Sequence, residues 1–187
     1  MNTENRNLTN NIRWKVIYLF LFLIFISSCS YLKYHSWQDF ENTKLGFSIK
    51  VPEKPRHFTM SSDFSLSNQS FDQWTIEKSD SKYQFFILTS EYDPDQFSEL
   101  MVGEQLDKVD RPNLGFLKDG VELSKNRVIE NDFIMEEQHW DLAKKREKAI
   151  TQTYLRAGRL IQLICVYPAN IQKPDRANYF FSSFQFK

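Results

Sequence analysis

The sequence predicts an α+β fold, an antiparallel β-sheet built largely as a meander and packed with two helices. Three observations carry this. From Val121 onward, four successive stretches have the patterning of strands, mostly alternating apolar with polar residues. Short turns join those stretches, and short turns imply antiparallel neighbours. Two other segments, after Asp93 and after Pro174, space their apolar residues three and four apart, as a helix with one buried face requires.

Taken in order, Trp37-Gln38-Asp39-Phe40 and Phe47-Ser48-Ile49-Lys50-Val51 alternate as a strand pair, with a turn over Asn42-Thr43-Lys44-Leu45-Gly46. Pro52 and Pro55 end the second strand, because proline cannot donate to a ladder. His57 to Asn68 is polar and serine-rich, anchored by Phe58, Phe64 and Leu66, and reads as an irregular strand or loop. Phe71 to Glu77 and Tyr83 to Thr89 read as strands joined by a turn over Lys78-Ser79-Asp80-Ser81-Lys82.

Asp93 then caps a helix, with Pro94 at its first position and Gln96 completing a capping box. Its apolar face runs through Phe97, Leu100, Met101, Leu106 and Val109, and Arg111-Pro112 ends it. The four meander strands cover 121–130, 133–142, 148–156 and 159–167. Their turns are Asn131-Asp132, the charged tip Lys144-Lys145-Arg146-Glu147, and Ala157-Gly158, where glycine supplies a positive φ. The last strand is apolar on both sides, so it is expected centrally, covered on both faces. The second helix starts at Pro174 with Ala177, Phe180, Phe181 and Phe184 on one stripe, and Ser183 to Phe186 closes the chain as an edge strand.

The N-terminus reads differently. Arg6, Arg13 and Lys15 precede an unbroken apolar run of 11 residues, Val16 to Ile26. A spanning helix needs roughly 20 apolar residues, whereas a signal peptide needs about 7–15. The run therefore predicts a removed signal over residues 1–28, a short tether over 29–36 and one globular domain over 37–187. Ile26-Ser27-Ser28-Cys29 resembles the lipobox of bacterial lipoprotein precursors. That resemblance implies cleavage between Ser28 and Cys29, a diacylglycerol on the Cys29 sulfur, and an envelope protein held in the lipid bilayer. Ser30, where an aspartate would resemble an inner-membrane retention signal, implies the periplasmic face of the outer membrane.

A second resemblance concerns the domain. Leu45-Gly46-Phe47-Ser48-Ile49-Lys50-Val51-Pro52, then Arg159-Leu160-Ile161-Gln162-Leu163 leading to Tyr167-Pro168, and Phe180-Phe181-Ser182-Ser183-Phe184 resemble segments of the PsbP-like fold. Members of that fold bind photosystem subunits, small GTPases or unidentified envelope partners, so the resemblance implies an envelope protein as partner. The matching positions are structural and carry no functional residue, and the metal-ligand set of the plant members has no counterpart here.

Composition excludes several classes. The chain is formally neutral. Three cations and one anion give the signal a net +2, so the remainder carries −2. There is no basic stripe for nucleic acid. With Cys29 committed to lipid, Cys165 is the other cysteine of two. It lies in the apolar run Leu160 to Tyr167 and is expected to be a small buried hydrophobe.

The residues that could carry chemistry are sparse. His35, His57 and His139 have no ligand spacing such as His-Glu-x-x-His, and no Gly-x-Ser-x-Gly elbow or glycine-rich phosphate loop occurs. No catalytic residue, metal set or cofactor is therefore assigned. His139 shares a strand face with Phe133, Met135 and Glu137 by alternation and is expected to be solvent-facing or satisfied. Glu136 and Glu137 fall on opposite faces and so do not form an acid–base couple. Asp93-Pro94-Asp95 could suit calcium, but helix capping uses the same residues better. Lys144, Lys145, Arg146 and Lys148 form a basic hairpin tip, a candidate contact for anionic lipid or a partner, although a solvated turn that blunts edge pairing explains it too. The expected function is a non-enzymatic binding or scaffold module of the envelope. The alternatives are an envelope enzyme with a scattered site, or a carrier of a small apolar ligand, suggested by the fourteen phenylalanines beyond the signal.

Overall fold

A computed structural model of the chain describes residues 36–61, 70–77, 82–91, 117, 119–130 and 132–187. Their strands are β1 (Gln38–Asn42), β2 (Phe47–Val51), β3 (Arg56–Ser61), β4 (Ser70–Glu77), β5 (Gln84–Glu91), β6 (Val121–Ile129), β7 (Ile134–Leu142), β8 (Glu147–Arg156), β9 (Arg159–Pro168) and β10 (Gln185–Phe186). One α-helix, α1 (Asp175–Ser182), and a single 3-10 turn, Ala143–Lys145, complete the described residues. Within them no helix is long and apolar enough to cross a membrane.

The expected α+β architecture with two helices needs correction. The described residues form two antiparallel sheets with one helix, a mostly β fold. Two causes are visible. The serine-rich stretch after Pro55 opens as a full strand, β3, although Arg56 to Thr59 are all exposed and show no burial alternation. β10 also pairs with β2, which makes the opening hairpin a separate three-stranded sheet, β1-β2-β10. The helix expected from Asp93 to about Val109 lies outside the described residues, as do the signal and the tether up to His35.

The larger sheet has seven strands in the order β3-β4-β5-β9-β8-β7-β6. β9 is its middle strand, and Leu160 to Tyr167 are buried without a break. A strand with neighbours on both sides and both faces covered favours apolar side chains, which this run supplies at every position but Gln162. Cys165 is fully buried there with a free thiol, and burial pushes its ionisation well above the ordinary value.

Two turns show how local sequence sets the hairpins. At Gly46, φ is +68°, its N–H donates to the Asn42 carbonyl at 2.9 Å, and Asn42 Oδ1 accepts from the Leu45 N–H at 3.0 Å. The β8–β9 turn has two residues, Ala157 and Gly158, both at positive φ, 47° and 73°. Such a turn matches the twist of the flanking strands. Gly158 adopts it freely, while Ala157 must tolerate it.

The two faces of the large sheet differ. On one, Phe86, Leu88, Leu117, Leu142, Ala149, Ile164 and Val166 form an apolar cluster with Trp140 against it. Next to that cluster the same face buries Glu136, Gln138, Thr151, Thr153 and Gln162. Arg127 and Lys125 ion-pair with Glu136, whose side chain is fully buried. The opposite face carries α1. Phe180 is fully buried and sits 4.8 Å from Phe85, ring centre to ring centre. Ser183 Oγ accepts from the Lys50 N–H at 3.0 Å and Phe184 lies 5.8 Å from Phe47, so the end of α1 is fastened to the small sheet.

Candidate functional site

Register builds the site. Directly opposed residues of antiparallel strands share a face. His139 opposes Ile150, Ile150 opposes Cys165, and Cys165 opposes Phe85. Two residues along, Glu137 opposes Gln152, and two further on Met135 opposes Tyr154. All of these belong to the face on which α1 packs. Between α1 and the β7–β8 pair lies a cleft of about 310 Å³. Glu137, His139, Gln152 and Tyr154 line it from the sheet together with Ile150, and α1 contributes Asn178, Phe181 and Ser182.

The polar residues of the sheet form one hydrogen-bonded chain. Tyr154 Oη donates to Gln152 Oε1 at 2.8 Å, and Gln152 Nε2 donates to Glu137 Oε2 at 2.6 Å. His139 Nε2 lies 2.9 Å from Glu137 Oε1. Burial alone would push the Glu137 carboxyl up. The hydrogen bonds from Gln152 and His139, and the charge of His139, outweigh it and hold the group below the ordinary value. Glu137 is thus a carboxylate and only accepts, which assigns the proton of the pair to His139 Nε2. In the neutral ring Nδ1 is then an acceptor. Burial, and then the Glu137 charge, push the Tyr154 phenol up to about 12, so it stays a neutral donor.

Aromatic packing fixes this chain at its Tyr154 end. Phe184 stacks on Tyr154 at 4.4 Å and Phe186 meets it edge-on at 5.7 Å. Arg156, the next residue of β8 on this face, lies 4.8 Å over the Phe186 ring and pairs with Asp132 at 2.8 Å.

The other sequence candidates are dispersed. Ser28 and Cys29 lie outside the described residues, as do Asp93 and Asp95. Lys144, Lys145 and Arg146 are exposed at the 3-10 turn, where Arg146 takes a left-handed conformation at φ 55° and Lys144 meets Asp119 at 3.3 Å. Lys148 is half-buried in β8 opposite Tyr167. A second histidine–carboxylate pair, His57 Nε2 to Asp72 Oδ1 at 3.0 Å with His57 stacked on Trp74 at 4.9 Å, is exposed at the far end of the sheet. Among the described residues, no three His, Cys, Asp or Glu residues are grouped to hold a metal ion.

Alternation places Glu137 and His139 on one face, as expected, but Gln152, Tyr154, Asn178 and Ser182 were not singled out as site residues. The signal for Gln152 was present. Folding the hairpin about Ala143–Arg146, one residue before the expected tip, sets Glu137 against Gln152 and places Tyr154 on the same face. A scan against protein-family models and a search of curated proteins find no match for this chain.

Proposed function

We propose that this chain is a lipid-anchored, non-enzymatic binding module of the bacterial cell envelope, with the cleft between α1 and the β7–β8 pair as its binding site. The observation that carries the site is the hydrogen-bonded chain Tyr154–Gln152–Glu137–His139 facing a cleft of about 310 Å³. Side chains that fix one another in this way cost little further ordering when a ligand arrives, which favours binding. The anchor rests on the Ile26-Ser27-Ser28-Cys29 segment behind its basic and apolar leader. Two or three acyl chains hold firmly at a bilayer, since each buried CH₂ contributes about 0.8 kcal/mol.

One observation favours the enzyme alternative. His139 is oriented by an ionised carboxylate in a cleft, the arrangement a general base requires. A substrate panel with wild type and His139→Gln separates the two readings. Turnover lost in the variant would make the protein an enzyme and end the binding-module reading.

The anchor is tested by growing expressing bacterial cells with labelled palmitate. Label on the wild-type chain, absent from Cys29→Ala, is the expected result. Equal labelling of both, or none on either, would remove the lipid anchor from the reading.

A further inference from the structure

The geometry points to a small organic cation carrying an ammonium group as the ligand of the cleft between α1 and the β7–β8 pair, with Glu137 as its counter-charge. This rests on the reading of that cleft as the binding site.

Among the described residues lining the cleft, Glu137 is the single permanently charged group. Its neighbours are the carboxamides of Gln152 and Asn178, the hydroxyls of Tyr154 and Ser182, and the apolar Ile150 and Phe181. No lysine or arginine lines it among those residues, and Arg156 beyond Tyr154 is drawn away by Asp132 and the Phe186 ring. An anion would meet an uncompensated carboxylate at close range. A cation meets a partner.

Hydrogen-bonding capacity agrees. A carboxylate can accept about four hydrogen bonds. Glu137 receives one at Oε2 from Gln152 and one at Oε1 from His139, which leaves both oxygens able to accept again. An ammonium group brings three donors and no acceptor, the complement of this floor. Ile150 and Phe181 then offer an apolar wall to the carbon body of the ligand. Glu137 is half-buried, so the attraction is screened less than at an open surface.

The test uses the isotope-labelled full-length chain in detergent micelles, following the side-chain amide resonances of Gln152 and Asn178. The probes are benzylamine, its neutral isostere benzyl alcohol, and benzoate. Benzylamine is expected to bind about tenfold more tightly than benzyl alcohol, the scale of one charge-assisted hydrogen bond, with benzoate weakest. Glu137→Gln should abolish that preference. His139→Gln, which still offers an amide N–H to Glu137, should keep benzylamine binding. Equal binding of benzylamine and benzyl alcohol would overturn the cation assignment and leave a binding cleft. Absence of any shift with all three probes would overturn the assignment and the cleft as a binding site together. Palmitate labelling reads the anchor independently of both.

Discussion

Glu136 and Glu137 are consecutive in the chain and point to opposite faces of the seven-stranded sheet. The Glu136 carboxylate is fully buried and held by Arg127 and Lys125, whereas that of Glu137 looks into the cleft beside His139. Period-two geometry separates them, and each face then gives its carboxylate a different task.

Arg127→Met is expected to destabilise the chain by about 3 kcal/mol, because it removes a guanidinium that compensates a buried charge. Urea unfolding followed by tryptophan fluorescence measures this. Lys144→Ala, which breaks the exposed pair with Asp119, should change stability by less than about 0.5 kcal/mol. Equal losses in the two variants would contradict the burial of Glu136.

Glu137 sets the acid limb of stability. Its folded-state value is depressed below the ordinary 4.5, so on acidification the unfolded chain takes up the proton first. The contribution is fully present above the unfolded value and is lost as pH falls through the folded one. Glu137→Gln should therefore flatten the decline of stability below about pH 5, measured as unfolding midpoint against pH. A variant curve parallel to wild type throughout that range would contradict the assignment.

Tyr154 acts at the other end. Its ordinary value of 10.0 is raised to about 12 in the folded chain. Folded protein keeps the proton that unfolded chain releases, so stability is complete below pH 10 and declines as pH rises through the folded value. The contribution is about 3 kcal/mol. Tyr154→Phe should lose this part of the alkaline decline, with the hydrogen bond to Gln152 lost as well.

Ala157 bears a left-handed conformation in a turn that prefers asparagine followed by glycine. Ala157→Asn is expected to stabilise the chain by about 0.5–1 kcal/mol, seen as a raised melting temperature. A lowered melting temperature would mean that the turn holds the methyl group for a reason beyond backbone geometry.

Within the meander, β7 and β8 were legible because each keeps one half-buried face. β7 alternates buried and half-buried positions from Ile134 to His139, so its boundaries and its faces both follow from pattern. α1 was legible from Ala177, Phe180 and Phe181 at helical spacing, all of them buried. β3 was only half legible, as an irregular strand or loop, because an exposed edge strand needs no apolar alternation and the stretch it opens is rich in serine. The second sheet was hidden for another reason. Its assembly depends on Phe186 pairing with Phe47, a contact that no local window contains. The cleft was half legible. Glu137 and His139 share a face by counting, whereas Asn178 and Ser182 reach the same space only through the docking of α1.

The pairing of β10 with β2, sealed by the Lys187 N–H on the Gly46 carbonyl at 2.8 Å, has a temporal meaning. A chain emerging amino end first from a ribosome presents Phe47 long before Phe186. The small sheet cannot close until the last residues are free, since the closure of so long a loop must precede the contacts that reward it. Until β10 arrives, β2 keeps one edge open to pairing with another strand.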